Sequence, residues 1–109
     1  MESILKTIRA LLGADPDDNH FDKVLLTHIN RSFDDLRQIG VNPVTDIPVS
    51  TDLETWKSKF GNVKNINSIT TYVYLKVRLA FDPPQNSTHT ALLEKQLAEV
   101  EWRLTNPID

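Results

Sequence analysis

The stretch from Thr71 to Gln85, TYVYLKVRLAFDPPQ, constrains this chain more than any other. It wraps apolar residues around most of a helix and then forbids the helix to go on. Ile69, Val73 and Val77 fall on one line, with Tyr72, Leu75 and Leu79 on adjacent ones. A helix apolar over so wide an arc is covered on more than one side. Proline has no amide proton and drives the preceding residue out of the helical region, so Pro83-Pro84 ends the element at Phe81-Asp82. The spacing predicts a helix over Ile66 to Phe81 on which the rest of the chain packs.

One amphipathic helix follows, Asn86 to Thr105, with Ser87 or Thr88 as its cap. Its stripe is Leu93, Leu97, Val100 and Leu104, and Glu94, Lys95, Gln96, Glu99 and Glu101 face mostly solvent. Upstream, Ser3 to Leu12 carries Ile4, Leu5, Ile8, Leu11 and Leu12 at helical spacing and closes on Gly13. Phe21 to Ile39 carries Phe21, Leu25, Ile29, Phe33 and Leu36 on one face, with Asn19 as its expected cap and Gly40 as its stop. Thr51-Asp52-Leu53-Glu54 has the form of a capping box, which predicts a short helix over Asp52 to Phe60 with Leu53, Trp56 and Phe60 on one side. The fold class is therefore all-α: a small bundle of four to five helices, read as one domain over residues 1–109.

Val41 to Thr51, VNPVTDIPVST, differs in kind. Pro43, Pro48 and the β-branched residues favour extended backbone, and eleven residues is long for a helix–helix connection. Two readings stand side by side: a surface loop, or an arm that pairs with a neighbouring subunit or partner.

Composition narrows the function. At 109 residues with 39% hydrophobic content, the chain either closes its own core or completes burial against copies of itself. A formal charge of −3, from 12 basic and 15 acidic residues, excludes a generally basic nucleic-acid binder. With no cysteine there is neither disulfide nor thiolate metal site. No apolar run approaches the roughly 20 residues that span a membrane. MESILKTIRALLG has too short an apolar stretch and no small-residue cleavage site to read as a signal peptide, which points to a cytoplasmic origin.

Asp15, Asp17 and Asn19 begin like a calcium loop, but His20 stands where glycine is needed and Leu26 where the bidentate glutamate belongs. The aspartates, set around Pro16, read instead as an acidic lead into the second helix. His20, His28 and His89 include no pair at i,i+3 or i,i+4, so no metal is expected. No serine or threonine stands in a nucleophile signature. Gly13, Gly40 and Gly61 are isolated at helix ends and form no phosphate loop. Asn30-Arg31-Ser32 and Asn86-Ser87-Thr88 match the glycosylation pattern and mean nothing without secretion. The expectation is no enzyme and no cofactor. Lys57, Lys59, Lys64, Lys76 and Arg78, near Trp56, Tyr72 and Tyr74, keep an alternative open, a small helical nucleic-acid-binding or regulatory module. The plainer reading is a solvated charged face. Trp102 with Arg103 reads first as packing, and in an obligate oligomer as an interface anchor on a terminal helix.

Two segments, Tyr74 to Pro84 and Glu99 to Leu104, together with the order of elements, resemble the head–tail connector (head-completion or adaptor) proteins of long-tailed bacteriophages. The resemblance covers most of the chain and lies in packing and punctuation. It implies a structural virion protein, made in a bacterial host cytoplasm and working at the head–tail interface. Such a protein forms a homo-oligomeric ring, a dodecamer on the family pattern. The ring lies under the portal protein, completes the capsid vertex, extends the DNA channel and receives a downstream connector or tail component. DNA passes without sequence-specific binding, and no membrane is involved. Residues expected at partner interfaces are Val41, Pro43, Val44, Ile47, Pro48 and Val49 of the arm, Phe81, Pro83 and Pro84 of the break, and Trp102, Arg103 and Leu104 of the last helix. The helix Thr88 to Leu104 would face the portal, the arm Val41 to Thr51 would meet neighbours or the tail side, and the two roles are interchangeable.

Overall fold

The computed structural model describes residues 3–15 and 17–106. Among them every regular element is a helix: α1 (Ile4–Leu11), α2 (Asp22–Gln38), α3 (Trp56–Phe60), α4 (Ile66–Phe81) and α5 (Ser87–Thr105). The all-α expectation and the bounds of α4 are borne out. Pro16, in the acidic loop, lies outside the described residues.

α4 packs against both α2 and α5, and α1 rests on α2 and α4. The arc of α4 explains this arrangement, since Ile69, Tyr72, Val73, Leu75 and Val77 are all buried. From α2 come Leu25, Ile29, Phe33 and Leu36; from α1 come Ile4, Leu5 and Ile8; from α5 come Val100 and Leu104. Burying each such side chain contributes roughly 1.5–3 kcal/mol relative to leaving it in water. Phe33, Trp56 and Phe60 form an aromatic corner, with ring centroids 5.3 Å apart for Phe33–Phe60 and 6.5 Å for the other two pairs. The Trp56 indole N–H donates to Thr7 Oγ1 at 3.2 Å, which ties α3 to α1.

Glycine closes two helices by one device. At the end of α1, Gly13 has φ +84°, its N–H donates to Ala10 O at 3.0 Å, and the Ala14 N–H donates to Arg9 O at 3.0 Å. At the end of α2, Gly40 has φ +92°, its N–H donates to Arg37 O at 3.1 Å and the Val41 N–H to Leu36 O at 2.9 Å. Both are Schellman closures, and a Cβ would be strained at either glycine.

Three helix starts differ from expectation. α2 begins after Phe21 with no side-chain cap. Asn19 contributes only its carbonyl, to the Asp22 N–H at 3.3 Å, while the Asp18 side chain takes the His20 N–H at 3.0 Å. α5 is capped by Asn86, whose Oδ1 accepts from the Thr88 N–H at 2.7 Å, and Ser87 is already inside the helix. α3 starts four residues later than expected. Its capping box is Thr55 with Ser58, each side chain taking the other's N–H at 3.0–3.1 Å. Thr51 and Glu54 do meet, but they close a turn: the Glu54 carboxylate accepts from the Ser50 N–H at 2.6 Å and from the Thr51 hydroxyl. The next residues are then held extended, because the Ile4 N–H donates to Glu54 O at 3.0 Å and Ser3 pairs with Thr55 in an antiparallel bridge. Leu53 therefore lies outside α3 and is exposed, while Trp56 and Phe60 are buried.

Candidate partner-binding surfaces

The connection Val41 to Thr51 holds no helix, in keeping with Pro43 and Pro48, and its backbone is fastened to the rest of the chain. The Val44 N–H donates to Lys59 O at 2.8 Å, and Lys59 Nζ donates to Ile47 O at 2.7 Å. Arg37 holds Asp46 at 3.0 Å. The Asn30 carboxamide brackets Val49, donating to its carbonyl at 2.8 Å and accepting its N–H at 2.9 Å. Lys59 is only 3% exposed and lies over the Phe33 ring, 5.3 Å from its centroid. Burial lowers its pKa, with the Arg37 charge acting the same way and Asp46, Asp34 and Glu54 opposing.

Val49 is buried in the core, whereas Ile47 is 73% and Val44 67% exposed. Val41 and Pro43 are half-buried and Pro48 is exposed. Leu53, beside this segment, is 82% exposed. Sequence reasoning had assigned Leu53 to a helix face, and the signal against that was its place between Asp52 and Glu54 in a turn-forming run.

At the break, Phe81 is half-buried, its ring 5.3 Å from Phe21 in an edge contact and 6.5 Å from His28. Pro83 is exposed and Pro84 half-buried, with the Pro84 carbonyl accepting from the Thr90 hydroxyl at 3.3 Å. On α5, Trp102 is 61% exposed and Arg103 is exposed too, while Leu104 belongs to the core with Val100. Helical spacing accounts for the split: at about 100° per residue, Trp102 points almost opposite to the stripe Leu93, Leu97, Val100 and Leu104. Of the expected interface residues, Val49 and Leu104 thus serve the chain's own core, and the exposed ones belong to the arm (Val44, Ile47, Pro48), the break (Pro83) and α5 (Trp102, Arg103).

A groove of about 370 Å³ opens between α2, α4 and α5. Leu79, Ala80 and Leu97 supply its apolar wall, and His28, Arg31, Asp35 and Lys76 its polar side. Lys76 pairs with Asp35 at 2.9 Å and lies over the Tyr72 ring. Burial pushes the Tyr72 hydroxyl up to about 12, helped by the negative charges of Asp35 and Glu101. This groove was not foreseen, because its residues come from three helices and none carries a motif.

The five basic residues do not gather into one free surface. Lys59 is buried, Lys76 is paired, and Arg78 Nε donates to Asp82 O at 2.6 Å, which leaves Lys57 and Lys64 exposed. In the acidic loop Asp15 Oδ1 takes the Asp17 N–H at 2.9 Å, as a turn does. Among the described residues no group of three or more His, Asp or Glu is placed to share a metal ion, and no helix is long and apolar enough to cross a membrane.

The family model described as phage connector protein matches residues 4–109. No curated protein and no solved structure matches the chain.

Proposed function

The chain belongs to the phage connector protein family, and from that premise we propose that it is a structural, non-catalytic virion subunit acting as one domain. Copies of it form a ring beneath the portal protein that completes the capsid vertex, extends the DNA channel and joins head to tail. The observation that carries this reading is the family match across nearly the whole chain.

The surface chemistry is compatible with it. A ring subunit uses two different patches, one toward each neighbour, and further patches toward the layers above and below. Val44, Ile47 and Leu53 expose apolar surface on and just after the arm, and Trp102 does so on α5 beside the exposed Arg103. Tryptophan and arginine are the residue types that most often anchor interfaces. The outer face of α5 is assigned to the portal. The segment Val41 to Thr51 is assigned to neighbours or the tail side, and the Phe81–Pro84 break sets the angle between α4 and α5. A formal charge of −3 suits a channel through which DNA must slide, since a strongly basic lumen would hold it.

Mass measurement and negative-stain imaging of the purified protein, alone and with the portal protein, test this. Rings, or decoration of the portal, are the expected result, and the mass gives the copy number. A chain that stays monomeric at every concentration and never joins a portal overturns the reading.

A further inference from the structure

We propose that the groove between α2, α4 and α5 seats the 44–47 loop of a second copy of this chain. Ile47 would enter beside Leu79, Ala80 and Leu97, and the adjacent Asp46 would face Arg31 at the groove's edge. The inference rests on the ring reading above and names the two surfaces through which one copy meets the next.

Three observations carry it. First, the loop and the groove lie on opposite sides of α2. Asn30 and Arg37, which hold the loop, share one face of that helix, and His28, Arg31 and Asp35, which line the groove, share another. At about 100° per residue the two faces diverge by roughly 140°. A patch on one side and its receptor on the other give a head-to-tail contact, the kind that builds rings rather than isologous dimers. Second, the charges match. Lys76 and Asp35 cancel each other in the groove. Arg31 is left exposed with no hydrogen bond or ion pair. Asp46, beside the exposed Ile47, pairs with Arg37 at 3.0 Å and stays 93% exposed. Third, the loop is already ordered in the single chain by Lys59, Arg37 and Asn30, so docking it costs little further ordering entropy.

The chain has no cysteine, which makes disulfide trapping unambiguous. Ile47 and Ala80 are both exposed, so Ile47→Cys and Ala80→Cys leave the core untouched. The double variant, oxidised or treated with a short bis-maleimide, alone and on the portal, is expected to give a ladder of covalent multimers on a non-reducing gel. Each single variant gives nothing beyond dimer. Rings without a ladder overturn the inference and leave the ring reading standing. Cross-linking of Ala80→Cys to the portal in place of a second copy also overturns it, by giving the groove another occupant. Absence of rings in the unaltered chain as well, with and without portal, removes both.

Discussion

The Asn30 carboxamide pairs with both main-chain groups of Val49, donating at 2.8 Å and accepting at 2.9 Å across 19 residues of sequence. One side chain thus does what a neighbouring strand would do, and it lets Val49 enter the core from a loop that has no strand partner.

Asn30→Ala leaves the Val49 N–H and C=O, both near the core, without their partners. Losing two such bonds is expected to lower stability by about 1–3 kcal/mol, read as a fall in the urea midpoint at unchanged slope. Amide exchange at Val49 should quicken more than exchange in α4. Uniform acceleration along the chain would mean that Asn30 supports the whole fold and does not specifically fasten the loop.

Arg9 and Asp22 make a second long-range clasp. Arg9 is almost wholly buried on α1, and its Nε and Nη2 reach the Asp22 carboxylate at 2.6–3.0 Å. Asp22→Ala removes that carboxylate from a guanidinium that has little water to turn to. Breaking a buried pair costs about 3–5 kcal/mol, and the partial exposure of Asp22 moves the expectation to the lower end. Arg9→Met with Asp22→Leu should recover much of the loss, because apolar replacements leave no buried charge. A double variant no more stable than Asp22→Ala would show that the clasp orients α1 in a way that packing cannot replace.

These clasps mark where the sequence stops being readable. The α4 helix was legible to the residue, because its apolar arc and the prolines that end it are local facts. α3 was misplaced, although Thr51 and Glu54 really do interact. What decides between a helix and a turn there is the hydrogen bond from the Ile4 N–H to Glu54 O and the bridge from Ser3 to Thr55, made by the other end of the chain. The arm was recognisable as non-helical from Pro43 and Pro48. Which of its valines turn inward was not, since that depends on Asn30 and Lys59, whose partners lie 19 and 12 residues away. Trp102 reads from its residue type as packing or as an interface anchor; its place opposite the α5 stripe decides for the surface, whereas the groove that α2, α4 and α5 enclose leaves no local signal.

Tyr72 gives the fold an alkaline limit. Its hydroxyl, normally ionising near pH 10, is pushed up to about 12 by burial and by the charges of Asp35 and Glu101. Between those values the unfolded chain has released the proton and the folded chain still holds it, so stability falls as pH rises through that window. Two units correspond to roughly 2–3 kcal/mol. Tyr72→Phe should remove this part of the loss, seen as a flatter urea midpoint from pH 10 to 12. An unchanged slope would assign the alkaline loss to other groups, such as neutralisation of Lys76 beside Asp35.

The double proline separates folding from assembly. The turn between α4 and α5 holds hydrogen bonds that do not need a proline ring: Asp82 N–H to Arg78 O at 3.0 Å, Arg78 Nε to Asp82 O, and Asn86 Oδ1 to the start of α5. Pro83→Ala with Pro84→Ala leaves every one of these groups in place and keeps the Pro84 acceptor carbonyl for Thr90. What is lost is the restriction of φ, which costs about 0.4–1 kcal/mol per position, mostly through the unfolded chain. The isolated variant should therefore melt only a few degrees lower. If the break holds α5 at the angle a ring requires, the yield of rings or portal-bound particles should fall much further than the folded fraction does. Matching losses in melting and in particle formation would reduce the prolines to helix punctuation, with the angle set by core contacts such as those of Val100 and Leu104.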